Sequence, residues 1–446
     1  MSWRYQFLGR GFFFFFSILI APSLGSQESL RLNIQEHHLK NGLQVLLLED
    51  HAAPVATVQV WCRAGSRNER PGITGVSHVL EHMMFKGTKK RGPEEYSETI
   101  QRHGGTDNAF TSNDMTAYYS VLPSSRIELA FDLEGDRFAR PLFRDFLQER
   151  DVVKEERRLG ENDPQGRLYE ELQATAFKAH PYSNPVIGWM SDLNELTEES
   201  LEEYFQTYYS PANLTLVVVG DVEEKEVLRL ANQYFGKIKK REGPPPVGTV
   251  EPEQIGERRV KVHREAFLPI VGIAYHIPEY THPKSPTFQV ISRILASGES
   301  SRLYKRLVYK DEIATHVSGH ADPGEDPGLF IIWCMVSTGH TGEELEKVVY
   351  EEIERLKSEP VTVRELEKAI NQEISEFVFD QESVLRQAFT IGWINVLGNY
   401  QMVNGMVERM KGVTKEDIME TTQKFFTEKN RTVATLVPEK PGVSVE

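Results

Sequence analysis

The sequence is short of cysteine, of basic runs and of long apolar stretches, and each shortage closes off a class of protein. Cys62 and Cys334 are the only two cysteines in a 446-residue chain. That number excludes a disulfide framework, and their spacing excludes a cysteine-built zinc site. Each sits in an apolar, strand-like run, VQVWCRAG or LFIIWCMV, which predicts buried, unpaired thiols. No basic run stands out against a net charge of −15, so nucleic acid is not an expected partner. The acidity reads as a solvated surface; the alternative is an acidic chamber that favours basic peptides. Beyond the N-terminus no segment approaches the ~20 apolar residues of a membrane-spanning helix, so no integral span is expected. Hydrophobic residues at 39% and charged residues at 26% fit a globular protein of two or three domains.

The N-terminus is the exception. Arg4 and Arg10 precede GFFFFFSILIA, an apolar core of about ten residues, and Ser23 and Gly25 supply the small residues of a cleavage site. Residues 1–25 therefore read as a signal peptide, which implies a periplasmic or secreted protein. A mitochondrial presequence is the competing reading, because the first acidic residue is Glu28. Five consecutive phenylalanines and only two arginines argue against it.

What the chain does contain is His78, Glu81 and His82 in the string HVLEH. On a helix, positions i and i+4 share a face, so both imidazoles point the same way and Glu81 lies close to that face. Two histidines can hold Zn²⁺, and an adjacent carboxylate can take a proton from the attacking water. The order H-x-x-E-H is the inverse of the commoner zinc-peptidase motif and is a signature in its own right. A catalytic zinc site needs a third protein ligand. Residues 146–163, FLQERDVVKEERRLGEND, read as a helix with Glu149 and Glu156 seven apart on one face. That face could meet the histidine helix; the plain alternative is a solvated charged face. Gly104 and Gly105 read as a turn into a strand carrying Asn108, Ala109 and Phe110. Such an edge strand can pair with an extended peptide, or the glycines simply make a turn and Phe110 is core.

The chain also repeats itself. Residues 197–220 and 414–437 align without gaps at an offset of 217, Thr197 meeting Thr414 and Asn213 meeting Asn430. Each copy begins with a threonine N-cap, continues at helical spacing, and ends after a turn in a β-rich run. The strand-like runs at 55–65 and 268–278 extend the likeness. Between the halves, residues 239–257 are rich in proline, glycine and charge and read as a linker. The expected domains are 32–238, which carries the zinc motif, and 258–446, which does not. The expected fold is α+β, each half a mainly antiparallel sheet with helices on one face.

These motifs together resemble the pitrilysin/insulinase-like zinc peptidases, the inverzincins. The closest likeness is to the short-chain branch that includes mitochondrial processing peptidase and bacterial secreted relatives. The resemblance covers nearly all of the mature chain, and its matched segments include HVLEHMMFKGT, GGTDNAFTSNDMTAYY, ERDVVKEE, HPYSNPVIGW and YYSPANLTLVVVGD. The resemblance implies that His78, His82 and Glu156 bind one Zn²⁺ and that Glu81 is the general base. Glu149 matches a supporting acid counted with the catalytic residues, and Glu155 is the off-face alternative to Glu156. It implies a clam-shell chamber for short or unfolded peptides, with Asn108 and Ala109 near the scissile bond.

One feature departs from the family. The second half of its members usually supplies an arginine and a tyrosine toward the substrate, and here Val308 and Thr315 stand in their places. Shifting the frame enlists Arg306 or Tyr309, but never restores both. The departure implies a zinc-bearing subunit paired with a homologue that lacks the zinc motif. A homodimer is the other pairing, and a non-catalytic scaffold subunit is the competing function.

Overall fold

Alternating and fully apolar runs form two sheets in the computed structural model, which describes residues 31–439. The expected signal peptide lies outside the described residues. The first sheet holds β1 (Gln35–His38), β2 (Gln44–Glu49), β3 (Val55–Cys62), β4 (Thr106–Thr111), β5 (Thr116–Pro123) and β6 (Leu214–Gly220), in the order β1-β2-β6-β3-β5-β4. The second holds β7 (Arg258–Glu265), β8 (Ile270–Ile277), β9 (Ala314–Asp322), β10 (Gly328–Val336) and β11 (Arg431–Glu439), in the order β7-β11-β8-β10-β9. Leaving out β1, the two orders are the same. In each, the first pair is parallel (β2 with β6, β7 with β11) and the remaining pairs are antiparallel. Residues 239–257 between the sheets carry no helix or strand.

The first half carries α1 (Val76–Met83), α2 (Glu95–Arg102), α3 (Ile127–Ala139), α4 (Phe146–Glu161), α5 (Pro164–Ala176), α6 (Met190–Glu195), α7 (Glu198–Tyr208) and α8 (Glu224–Tyr234). The second carries α9 (Ser285–Leu295), α10 (Gly342–Ser358), α11 (Val363–Phe379), α12 (Val384–Leu397), α13 (Met406–Lys411) and α14 (Lys415–Phe425). The repeat seen in the sequence falls on α7 with β6 and on α14 with β11. Thr197 and Thr414 each accept a backbone N–H as N-cap, from Ser200 and Asp417. Asn213 and Asn430 each donate a side-chain N–H to the end of the preceding helix, to Tyr208 O at 2.9 Å and Phe425 O at 2.7 Å. Two copies of one turn, closed the same way, are what the ungapped match encodes.

Within each half the helices pack on one sheet face, and the opposite face is covered by a helix from the other half. In the first sheet Val58, Val60 and Cys62 of β3 join the core formed with α1, α3 and α7, while Trp61 faces α12. Leu46, Leu48, Val217 and Val219 meet Ala388, Ile391 and Val396 of α12. In return, Leu168 and Leu172 of α5 pack on Ile270, Ala274, Ala434 and Leu436 of the second sheet. This exchange accounts for LTLVVVG: a strand buried on both faces has no polar alternation. Both cysteines are buried and unpaired, as their surroundings predict, and burial pushes both thiols up.

Candidate metal centre

Helix α1 begins at a crossing of two backbones. Gly75, its N-cap, has φ 88°, and Gly188 of the HPYSNPVIGW segment has φ 84°. A Cβ on Gly188 would lie 2.6 Å from Gly75 Cα, and one on Gly75 would lie 2.5 Å from Ile187 O, so neither position tolerates a side chain. The buried Glu69 carboxylate accepts the Gly75 N–H at 2.7 Å and the Ser77 N–H at 2.9 Å, tying the first turn of α1 to the loop before it. The helix that follows therefore leaves a fixed point, with His78 one residue past the tie.

His78 and His82 stand on one face of α1 with ring centroids 4.8 Å apart. Helix α4 lies across that face. Glu156 Oε2 is 3.8 Å from His78 Nε2 and 3.7 Å from His82 Nε2. One ligand atom from each of the three residues lies within 4.8 Å of the other two. A tetrahedral zinc with bonds of roughly 2.0–2.2 Å holds its ligand atoms about 3.4 Å apart, so this donor set, two imidazoles and a carboxylate, fits zinc with little adjustment.

Glu149, two turns before Glu156, faces the same histidine pair from behind. Its Oε1 is 2.9 Å from His82 Nδ1, and its Oε2 is 2.5 Å from Lys86 Nζ. A carboxylate on Nδ1 fixes the tautomer that leaves Nε2 free as a ligand. The His82 contact, then Lys86, holds the Glu149 carboxyl at about 2. Burial, then His82, holds His78 well below the ordinary imidazole value, so its ring is neutral. Burial also lowers His82, but Glu149, Glu81 and Glu156 outweigh it and leave that ring raised. Glu81 sits beside the ligands, and burial raises its carboxyl above the usual range. Its Oε2 accepts the Thr111 hydroxyl at 2.5 Å. The His78–Glu81–His82–Glu149–Glu156 arrangement is thus assembled from α1 and α4 alone, while Glu155 points elsewhere and pairs with Arg158.

The three residues of the expected substrate strand lie on β4, which is the edge of the first sheet. Asn108 and Ala109 line the cavity, and the Ala109 N–H donates to the Asn108 side chain at 2.8 Å. Phe110 also borders the cavity, but its ring packs against Trp61 at 5.7 Å and stacks on Trp393 at 6.2 Å. The cavity holds about 2560 Å³ and is walled by α1, β4, α4, α5 and residues 182–187 on one side and by α11 and α12 on the other. Val308 packs against the core of the second half, and Thr315 donates to Met335 O at 3.5 Å. Neither reaches the cavity. Arg306 pairs with Asp311 and Glu351, and Tyr309 with Glu299.

Two residues here escaped the sequence reading. Lys86 had only a weak signal: it lies four positions after His82 in sequence, but in the bend beyond the end of α1 at Met83. Thr111 had none, because only the fold brings β4 against α1.

The profile described as "Insulinase (Peptidase family M16)" matches residues 44–189, and that described as "Peptidase M16 inactive domain" matches residues 195–373. The chain belongs to peptidase family M16. The boundary between the two profiles agrees with the confinement of the zinc motif to the first half. Among its M16 relatives, zinc protease PqqE of Helicobacter pylori is 29% identical over 95% of this chain and 97% of its own length. An uncharacterised zinc protease of Mycobacterium leprae is 30% identical over 70% of this chain and 71% of its own. A probable mitochondrial-processing peptidase subunit beta of Arabidopsis thaliana is 26% identical over 90% and 77%. The crystal structure of a protease from Helicobacter pylori superposes with a TM-score of 0.89 at 29% identity, covering 92% of this chain and all of that one. Among the described residues no helix is long and apolar enough to cross a membrane.

Proposed function

We propose that this M16 protein is a zinc-dependent endopeptidase of short or unfolded peptides. The observation that carries the reading is the convergence of His78, His82 and Glu156 beside Glu81, inside a cavity bordered by a free strand edge. His78, His82 and Glu156 would hold one Zn²⁺, which when bound polarises the scissile carbonyl and acidifies water. Glu81 is placed to take the proton of the attacking water and pass it to the leaving amine. Thr111 occupies Oε2 of Glu81, which leaves Oε1 to face the water. A carboxyl raised by burial is a better base near neutral pH than a solvated one. Glu149 keeps His82 in its ligating tautomer, and His82 together with Lys86 keeps Glu149 charged. The peptide would lie along β4, its main chain meeting the edge near Asn108 and Ala109, with Phe110 forming the aromatic floor. The 29%-identical relative named a zinc protease supports the same chemistry.

Glu81→Gln should retain zinc and lose roughly 10²- to 10⁴-fold in turnover, the usual share of general-base catalysis. His82→Ala should lose the metal as well. A wild-type protein that holds stoichiometric zinc yet cleaves no unfolded peptide, alone or with its homologue, would overturn the reading in favour of a scaffold.

The second half supports a paired assembly. Val308 and Thr315 sit where members of this group carry arginine and tyrosine, so the groups that would steady the oxyanion have to come from elsewhere, and their loss costs about two to three decades of rate. The chain would act as the zinc-bearing subunit beside a homologue lacking H-x-x-E-H, with a homodimer as the other arrangement. Full zinc-dependent cleavage by the isolated chain refutes the need for a partner. The signal-like character of residues 1–25 supports a periplasmic or secreted location for the proposed work.

A further inference from the structure

One wall of the cavity has charges that the peptidase reading leaves unused. Helix α11 opens with Arg364 in its first turn and Lys368 in its second. Cations at a helix N-terminus oppose the macrodipole, so their placement works against the stability of α11. Positions 364 and 368 share one helical face, Asn371 and Ser375 continue it, and all four line the cavity that holds the zinc-ligand triad. One of the two acids on this turn is already engaged. Glu365 is bound by Arg302 at 2.9 and 3.2 Å and accepts the Thr362 N–H at 3.0 Å. Arg364 forms no ion pair among the described residues. The Lys368 ammonium is held in place by Ser300 and is lowered by burial and by the approach of Lys305 and Arg364. Glu367 is the acid that shares this stretch of wall. In a chain of net charge −15, two cations against one acid on a cavity wall make a local cationic corner suited to an anionic group.

We propose that Arg364 and Lys368 form a carboxylate-binding subsite for the peptide substrate. The carboxylate is either the peptide's C-terminus or an aspartate or glutamate side chain, and Asn371 and Ser375 offer amide and hydroxyl groups to the main chain beyond it. The guanidinium supplies a planar pair of donors and the ammonium a point charge. The proposal rests on the peptidase reading for the identity of the ligand as a peptide, but not on turnover.

The test is therefore binding. The Glu81→Gln protein is loaded with zinc and titrated, by fluorescence anisotropy, against one N-terminally labelled peptide in three forms: free acid, C-terminal amide, and amide with an internal aspartate. The free acid should bind about tenfold or more tightly than the plain amide, the worth of a charge-assisted contact. The preference should shrink as salt rises. Arg364→Ala with Lys368→Ala, both exposed positions, should bring the free acid down to the amide's affinity without lowering the melting temperature. Tight binding of the free acid alone assigns the subsite to the C-terminus; tight binding of the aspartate peptide as well assigns it to any carboxylate. Equal affinity of acid and amide, no measurable binding of either, or a preference that survives the double substitution overturns the proposal. A wild-type protein that cleaves both peptides equally defeats the subsite and leaves the peptidase standing. One that cleaves neither while the carboxylate preference persists does the reverse.

Discussion

Replacing Gly392 with alanine puts a methyl group where an indole already sits. Gly392 lies on the face of α12 that covers the first sheet, and an added Cβ would stand 2.6 Å from Trp61 Cζ2 and closer still to Cε2 and Nε1. Ordinary contact needs about 3.5–4.0 Å between carbons, so either the ring or the helix has to move by about 1 Å or more. The ring has nowhere to go: Trp61 is fully buried, its Nε1–H donates to Gln59 Oε1 at 2.9 Å, and Phe110 and Phe389 meet it edge-on at 5.7 and 5.9 Å. Overpacking of this kind costs about 1–3 kcal/mol. With an unfolding entropy of about 2.1 cal/mol/K per residue over roughly 400 residues, that is a fall of about 1–4 °C in melting temperature. Calorimetry measures it, with tryptophan emission as a second readout, since the indole leaves its present seat. Gly160→Ala is the control: it is also helical, but its added methyl meets nothing within 4 Å, and it should be neutral or slightly stabilising. If Gly392→Ala melts with the wild type and its emission is unchanged, α12 does not press on the first sheet, and the reciprocal exchange of covering helices is wrong.

Glu149→Gln removes the charge behind His82 while keeping its shape, and should weaken zinc binding by about 10- to 100-fold without unfolding the protein; competition with a chelator reads the affinity. Arg67 is almost buried between Asp114, Glu325 and Asp326, at 3.4, 3.0 and 2.8 Å, and joins the two halves. Arg67→Leu should cost about 3 kcal/mol in urea unfolding, the low end for breaking a buried pair, because Glu325 and Asp326 reach solvent. Removing the exposed Arg70, which pairs with Glu203, should change stability by less than about 0.5 kcal/mol. Burial works against ionisation of Glu365, but Arg302 and the Thr362 amide outweigh it and hold its carboxyl at about 2, below the ordinary 4.5. A depressed carboxyl contributes stability that is present above 4.5 and lost as pH falls toward 2. Acid unfolding of Glu365→Gln against wild type should therefore show a gap at pH 6 that closes over that window, and a constant gap would refute it.

The repeat at residues 197–220 and 414–437 was legible because its determinants are local. A threonine cap, helical spacing and an asparagine that closes the turn lie within a few residues of one another, and they yield α7 with β6 and α14 with β11. Val308 and Thr315 were likewise legible as departures. What surrounds them was not, because neither position touches the cavity in the fold. Helix α4 shows the limit well. Its extent was readable, but of Leu147, Val152, Val153 and Leu159 only Val153 is buried, the other three are left 63%, 45% and 70% exposed, and the face with Glu149 and Glu156 turns inward. A rule that sends apolar residues to the core holds only in part where the inward face must also carry metal ligands.

By itself the sequence determined the helix that carries His78, Glu81 and His82, since i and i+4 coincide on any α-helix, and it determined the duplication. It narrowed the third ligand to one face of one helix. Only the tertiary structure decided that Glu156 meets both imidazoles, that Thr111 holds Glu81, that Arg364 and Lys368 share the cavity, and that each half lends a helix to the other's sheet. Those pairings span tens to hundreds of residues, and spacing along a chain says nothing about which distant faces come to lie together.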